Sequence, residues 1–276
     1  MREIKAKQIE DTVCELFTKA AVKLPNDVYR SMWKSAGDET DERARDVLCN
    51  LCKNAREAEK TGVPICQDTG MAFLFAEIGQ DVHIIGDFEK AVNKGVERAY
   101  VDGKLRLSVA HPITRVNTGT NTPAIVYTKL VKGDKVKLTA LPKGFGSENM
   151  SRLKMFNPTA GIEEIKEFVY ETVRIADANP CPPIIVGVGI GGSFDYSAFL
   201  AKKALTHTVG KHSKEHGELE KELLEGINAL NIGPQGFGGK TTCLWVGVEM
   251  APTHIAGLPV AVNISCHATR HASAVL

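Results

Sequence analysis

The chain has 276 residues, 43% of them apolar and 24% charged, enough to close one good core or two small ones, which excludes a disordered tract or a disulfide-stapled miniprotein. Thirty-four Lys and Arg against 33 Asp and Glu leave a formal charge of +1, so the totals carry no electrostatic footprint for nucleic acid or an anionic membrane surface. No apolar run approaches the roughly 18 to 20 residues of a spanning helix, and MREIKAKQIEDTVCELF lacks the apolar core of a secretory signal, so a cytoplasmic location is expected.

The first 60 residues read as helix. Ile4, Ile9, Val13, Leu16, Phe17, Ala20 and Leu24 recur near the 3.6 period, and Pro25 stops the run. Asn26 or Asp27 can cap a second helix, and a third is expected from about Asp41 to Lys60. After Gly62 the texture changes to short apolar runs separated by Gly and Pro, starting with VPICQDTGMAFLFAEIG, a loop feeding a buried strand. DFEKAVNKGVERAYV is helical, and the polar stretch from Lys104 to Pro123 is too long and too rich in Thr, Asn and Gly for a mere connector. AIVYTKLV and KVKLTAL about a Lys-Gly-Asp turn predict a hairpin that empties into the glycine loop LPKGFGSENMS. A helix near Gly161 to Ala176, a strand and helix in NPCPPIIVGVGIGGSFDYSAFLAKKAL, a charged helix near Ser213 to Leu230 and the strands CLWVGVEM and LPVAVNIS complete the chain. Helices first, then mixed strand and helix, predict an α+β fold in a single domain: a helical lobe, 1–60, packed on a mixed part, 61–276.

Seven cysteines, an odd number, without an export signal argue for free thiols, a metal or a catalytic sulfur rather than a disulfide framework. Cys14, Cys49 and Cys52 fall in helical patterns and Cys243 in a strand, where a thiol acts as a small hydrophobe. Cys66, Cys181 and Cys266 instead sit in turns or at strand ends, in PICQDTG, NPCPPI and NISCHATRH. Three thiolates converging from separate loops suit an iron–sulfur cluster that keeps one iron without a protein ligand. Gly187, Gly189 and Gly192 in IIVGVGIGGS formally satisfy G-x-G-x-x-G. The polar LTHTVGKHSKEHG stands where a dinucleotide fold needs a second parallel strand, so these glycines are expected to let a loop pass close to another backbone or an anion.

ICQDTG, VNTGTNTPA, KGFGSEN, NPCPPIIVGVGIGG, GPQGFGGKTT and NISCHATRH, in this order from about Cys66 to the end, resemble the α subunit or N-terminal domain of oxygen-sensitive class I fumarate hydratases and the related L-tartrate dehydratases. The resemblance implies a [4Fe–4S] cluster on Cys66, Cys181 and Cys266, its fourth iron open, with cluster-binding loops at one face. It also implies Gln67 and Asp68 as polar pocket residues, Arg106 in LRLS as the grip on a substrate carboxylate, the backbone around Gly144 to Gly146 as a substrate-contacting loop, and His254 in APTHIAG as a pocket histidine. Asp68 and His254 are the catalytic candidates. His267, Arg270 and His271 are candidates to hydrogen-bond cluster sulfurs or line the cavity, and Gln235 and Lys240 to face the pocket.

The implied reaction is reversible hydration of fumarate to (S)-malate, with tartrate dehydration the near alternative. In the resembled family the base and several carboxylate-binding residues lie in the other half of the enzyme. A separate β subunit is therefore expected to complete the pocket, in a heterodimer or a dimer of heterodimers. A non-catalytic cluster protein is the reading of a different class, and Gln67, Asp68, Arg106 and His254 argue against it, since a scaffold has no need of them.

Overall fold

A computed structural model describes residues 1–276. The fold is α+β, and the chain divides into two compact units that it enters more than once. One holds Met1–Pro25, Ala55–Phe145 and Arg270–Leu276; the other holds Asn26–Asn54 and Gly146–Thr269. The first 60 residues are therefore shared between the units instead of forming a lobe of their own.

In the first unit β1 (Arg2–Lys5) runs into α1 (Ala6–Val22), whose buried Ile9, Val13, Leu16, Phe17 and Ala20 form the stripe the period predicts. Residues 2–5 are a strand and not the start of a helix, because β1 finds a parallel partner in β3 (Val82–Ile85). After β2 (Met71–Gly79), Asp87 caps α4 (Phe88–Val101) by accepting from the Lys90 N–H at 2.9 Å. Phe17, Leu74, Val92, Val96, Tyr100 and Leu138 build the core between these helices and the sheet.

The predicted hairpin is corrected. β4 (Ile125–Val131) and β5 (Val136–Lys143) do not pair with each other: the sheet order is β10-β5-β2-β4, with β10 (Ala272–Val275) at one edge. β2 lies between them, parallel to β4 and antiparallel to β5. Burial explains the choice: AFLFA of β2 is apolar on both faces and demands a central position, whereas much of β4 is exposed and suits an edge.

In the second unit α2 (Asn26–Asp38) and the first part of α3 (Glu42–Thr61) precede a sheet of order β6-β9-β7-β8. Its strands are β6 (Arg152–Phe156), β7 (Ile184–Gly191), β8 (Cys243–Ala251) and β9 (Leu258–Ser265). β7 alternates between two helical layers. Val186 and Val188 share a core with Phe168 and Val169 of α6 (Ile162–Ala176) and with Leu223 and Ile227 of α8 (Gly217–Asn228). Gly187 and Gly189 face α7 (Phe194–Ala204), where an added Cβ would lie 2.1 Å from the carbonyl oxygens of Ala201 and Ser197. Gly187 and Gly189 of the glycine motif are thus strand backbone in close contact with a helix and not part of a loop, and Gly192 follows the strand.

Candidate functional site

Two groups of candidate residues form, one within each unit. In the first unit the irregular CQDTG segment precedes β2. The Cys66 thiol is partly buried and donates to Gln67 Oε1 at 3.2 Å, and Gln67 itself is exposed. Asp68 is held by both carboxylate oxygens: Oδ1 accepts from the Gly70 N–H at 3.0 Å and Oδ2 from the Phe145 N–H at 2.9 Å. A Cβ on Gly144 would come within 3.1 Å of Asp68 Oδ2, so the KGFGS loop runs close against the carboxylate. Phe145 opens a short helical turn, α5 (Phe145–Glu148), and Gly144 is partly buried.

Backbone carbonyls of the same segment accept from buried side chains. Tyr100 Oη donates to Thr69 O at 2.9 Å, Asn121 Nδ2 to Gly70 O at 3.1 Å, and the Arg270 guanidinium to Asp68 O. Burial pushes the Tyr100 phenol well above its usual value, with Asp68 adding to the rise and Arg270 opposing it. Thr69 Oγ1 donates to Arg106 O at 2.9 Å, which fixes the backbone of the exposed Arg106. The polar stretch around it is irregular, its one bridge joining Ala110 to Asn117, and Asn121 Oδ1 pins its start by accepting from the Ser108 N–H at 2.6 Å.

In the second unit two cysteine loops are stapled together. The carbonyl of Cys181 accepts from the His267 backbone N–H at 3.3 Å and lies 3.0 Å from His267 Nδ1, so the residue after Cys266 is bound to Cys181. Gln235 donates its backbone N–H (2.8 Å) and its Nε2 (2.7 Å) to Pro182 O. Cys181 and Gln235 both have left-handed backbones, φ 55° and 52°, and such strain is held only where surrounding bonds over-determine it. Thr269 Oγ1 closes the second loop on Cys266 O at 2.7 Å. Cys181 is exposed and Cys266 partly buried.

Other expected residues stand elsewhere. His254 lies in the exposed turn between β8 and β9, its Nδ1 accepting from the Ala256 N–H at 3.1 Å. Gly146 is exposed, with open space around it. Lys240 reaches the end of α2, its N–H bonded to Glu39 at 2.7 Å and its Nζ to Asp38 O at 3.2 Å. Arg270 belongs to the Asp68 group, and His271, at the start of the short return to β10, is partly buried. Tyr100 and the buried Lys202, whose ammonium bonds Glu148 of the KGFGSEN motif, lie outside the motifs that carry the sequence expectations, and Asn121, within VNTGTNTPA, is not among the expected site residues. Glu148 also accepts from Asn263 Nδ2 at 3.1 Å, which ties the motif to β9 shortly before Cys266. A buried Tyr, Asn or Lys beside a motif is the sign that such donors carry backbone or carboxylate partners.

The donor chemistry suits iron. All seven cysteines are free, and Cys66, Cys181 and Cys266 are the three that lie outside helices and strands, none fully buried. Within neither unit do three His, Cys, Asp or Glu side chains gather at metal-holding distance; Cys66 belongs to one unit, Cys181 and Cys266 to the other.

The sequence as a whole places the chain among the hydro-lyases, enzymes that add water to or remove it from a small acid. The chain belongs to the fumarate hydratase (Fumerase) family, whose model matches residues 10–275. It is 44% identical over 274 residues to a protein of Methanocaldococcus jannaschii provisionally named L(+)-tartrate dehydratase subunit alpha, covering 96% of each chain. The L(+)-tartrate dehydratase subunit alpha of Escherichia coli and that of Shigella sonnei are each 30% identical over 269 residues, 95% of this chain and 89% of theirs.

Proposed function

We propose that this chain is the α subunit of an iron–sulfur hydro-lyase for a four-carbon dicarboxylic acid, interconverting fumarate and (S)-malate. The observation that carries the reading is the staple between the Cys181 and Cys266 loops, made by His267 next to Cys266. It ties the backbones of two of the three loop cysteines together, one of them, Cys181, held in the left-handed region at φ 55°.

Cys66, Cys181 and Cys266 are the ligands of a [4Fe–4S] cluster in this reading. The bound cluster supplies a Lewis acid for a substrate hydroxyl and carboxylate oxygen. The chain's own residues supply recognition and alignment. Arg106, its backbone tethered by Thr69, offers a fork of donors matched to one carboxylate. Asp68 and Gln67 present polar groups beside Cys66. Asp68 is oriented by two backbone N–H groups, so it needs no reorganisation when substrate arrives. The backbone from Gly144 to Gly146 and, on the exposed turn between β8 and β9, His254 are the further substrate-contact candidates in this reading. The proton next to a carboxylate is weakly acidic and needs a positioned base, which a separate β subunit provides.

A second reading, dehydration of L(+)-tartrate, is favoured by the names of the relatives at 44% and 30% identity. The two are separated by co-producing the chain with its β partner under anaerobic conditions and assaying fumarate consumption and L-tartrate dehydration side by side. Fumarate turnover exceeding tartrate turnover at least about tenfold in kcat/KM supports the first reading, since that ratio is about 1.4 kcal/mol of transition-state discrimination. The reverse ratio establishes the second. Turnover of neither by the assembled, cluster-loaded pair counts against both.

A further inference from the structure

The CQDTG segment carries a device that its role as a ligand and pocket loop does not require. Three consecutive backbone carbonyls, those of Asp68, Thr69 and Gly70, each accept a hydrogen bond from a different buried side chain: Arg270, Tyr100 and Asn121. The three donors come from distant points in the chain: the segment after Cys266, the helix α4 and the long polar loop. Their exposures are 3%, 1% and 0%, so each donor is committed to its partner and cannot turn to water at little cost.

Arg270 differs from the other two because it is charged. A buried guanidinium is expensive to desolvate and is retained where its fixed fork of donors defines a geometry. One arm ends on the carbonyl of Asp68, the residue whose carboxylate is fixed by Gly70 and Phe145 N–H groups. Asp68 is thus held at its backbone by Arg270 and at its side chain by two amides. Thr69 Oγ1 carries the same rigidity to the Arg106 carbonyl, so Asp68 and Arg106 share one frame.

We propose that Arg270 is a positioning residue for catalysis: it locks the Asp68 backbone, with Tyr100 and Asn121 completing the clamp, so that Asp68 meets the substrate in a single orientation. This rests on the reading of Asp68 as a catalytic residue. A misplacement of about 1 Å in such a group costs about 100-fold in rate while leaving much of the ground-state binding intact.

The test uses the α chain carrying Arg270→Met, Arg270→Lys, Tyr100→Phe or Asp68→Asn, each alone and assembled with its partner and loaded with cluster. Amide hydrogen exchange in the full chain reads the clamp without turnover. Arg270→Met should speed exchange of the Gly70 and Phe145 amides about 10- to 100-fold, the loss of one charge-assisted bond, and leave the α4 amides unchanged. In the assembled enzyme it should lower kcat about 10- to 100-fold with KM changed less than about threefold. Arg270→Lys should recover part of both effects, and Tyr100→Phe should show a smaller loss of the same kind. Wild-type exchange and kcat in Arg270→Met overturn the proposal. If Arg270→Met does not fold, wild-type exchange and kcat in both Arg270→Lys and Tyr100→Phe overturn it. Wild-type turnover by Asp68→Asn overturns the underlying reading of Asp68 instead, whatever the exchange data show.

Discussion

The cysteines differ in what surrounds each sulfur. Burial pushes the Cys243 thiol up to about 12, outweighing backbone hydrogen bonds that favour the thiolate. Cys181, directly after the turn at 177–180, is exposed on a left-handed backbone. With the cluster removed, iodoacetamide at pH 8 should modify Cys181 at least about 100-fold faster than Cys243, because the thiolate reacts and the buried thiol barely ionises. Peptide mass mapping over time measures both rates, and equal rates would contradict the assignment of Cys243 to packing. At this scale the sequence separated loop thiols from helix and strand thiols by local context alone. It did not reveal Arg270, Tyr100 and Asn121 as a clamp on residues 68–70, because hydrogen bonds between positions 31 to 202 apart leave no local pattern.

Elements meet through two kinds of contact here, bare backbone and buried charge. Where β7 meets α7, Gly189 leaves no room for a methyl group against the Ser197 carbonyl. Gly189→Ala should therefore destabilise the chain by about 3 kcal/mol through overpacking, seen as a lower thermal midpoint. An unchanged midpoint would show that α7 can move away. Glu249 of β8 is joined to the other end of that helix by Lys203 at 2.8 Å and to His207 just beyond it at 2.9 Å. Burial raises the Glu249 carboxyl pKa, but the bonds from His207 and Lys203 outweigh it and hold the group at about 2. A depressed folded-state value means that the stabilisation is complete above the unfolded value of about 4.3 and is lost as pH falls toward about 2. Between pH 5 and pH 3 the wild type should lose about 2 kcal/mol more stability than Glu249→Gln. Urea titrations at the two pH values test this, and parallel losses would sink it. The period-3.6 stripes of α1 and α4 were readable because amphipathic helices write their burial locally. Strand order was not: β4 and β5 look like a hairpin until β2, more apolar than either, takes the place between them.

On the scale of the whole molecule, no helix is long and apolar enough to cross a membrane, and the family match runs from residue 10 to residue 275. Six motifs in a fixed order carried the family in the sequence, whereas composition carried only the exclusions. The division into two units stayed hidden, because the chain passes between them at residues 25, 54, 145 and 269 without a linker of distinctive composition. The central claim, that Cys66, Cys181 and Cys266 and no other thiols hold the cluster, is tested most directly by anaerobic reconstitution with iron and sulfide. Iron content and visible absorbance are read for the wild type and for each Cys→Ala variant. The account predicts about four iron atoms per chain in the wild type and in Cys49→Ala, Cys52→Ala and Cys243→Ala, with loss of most iron when Cys66, Cys181 or Cys266 is replaced. Full iron loading in any of those last three, or loss of loading in Cys49→Ala or Cys52→Ala, would contradict it.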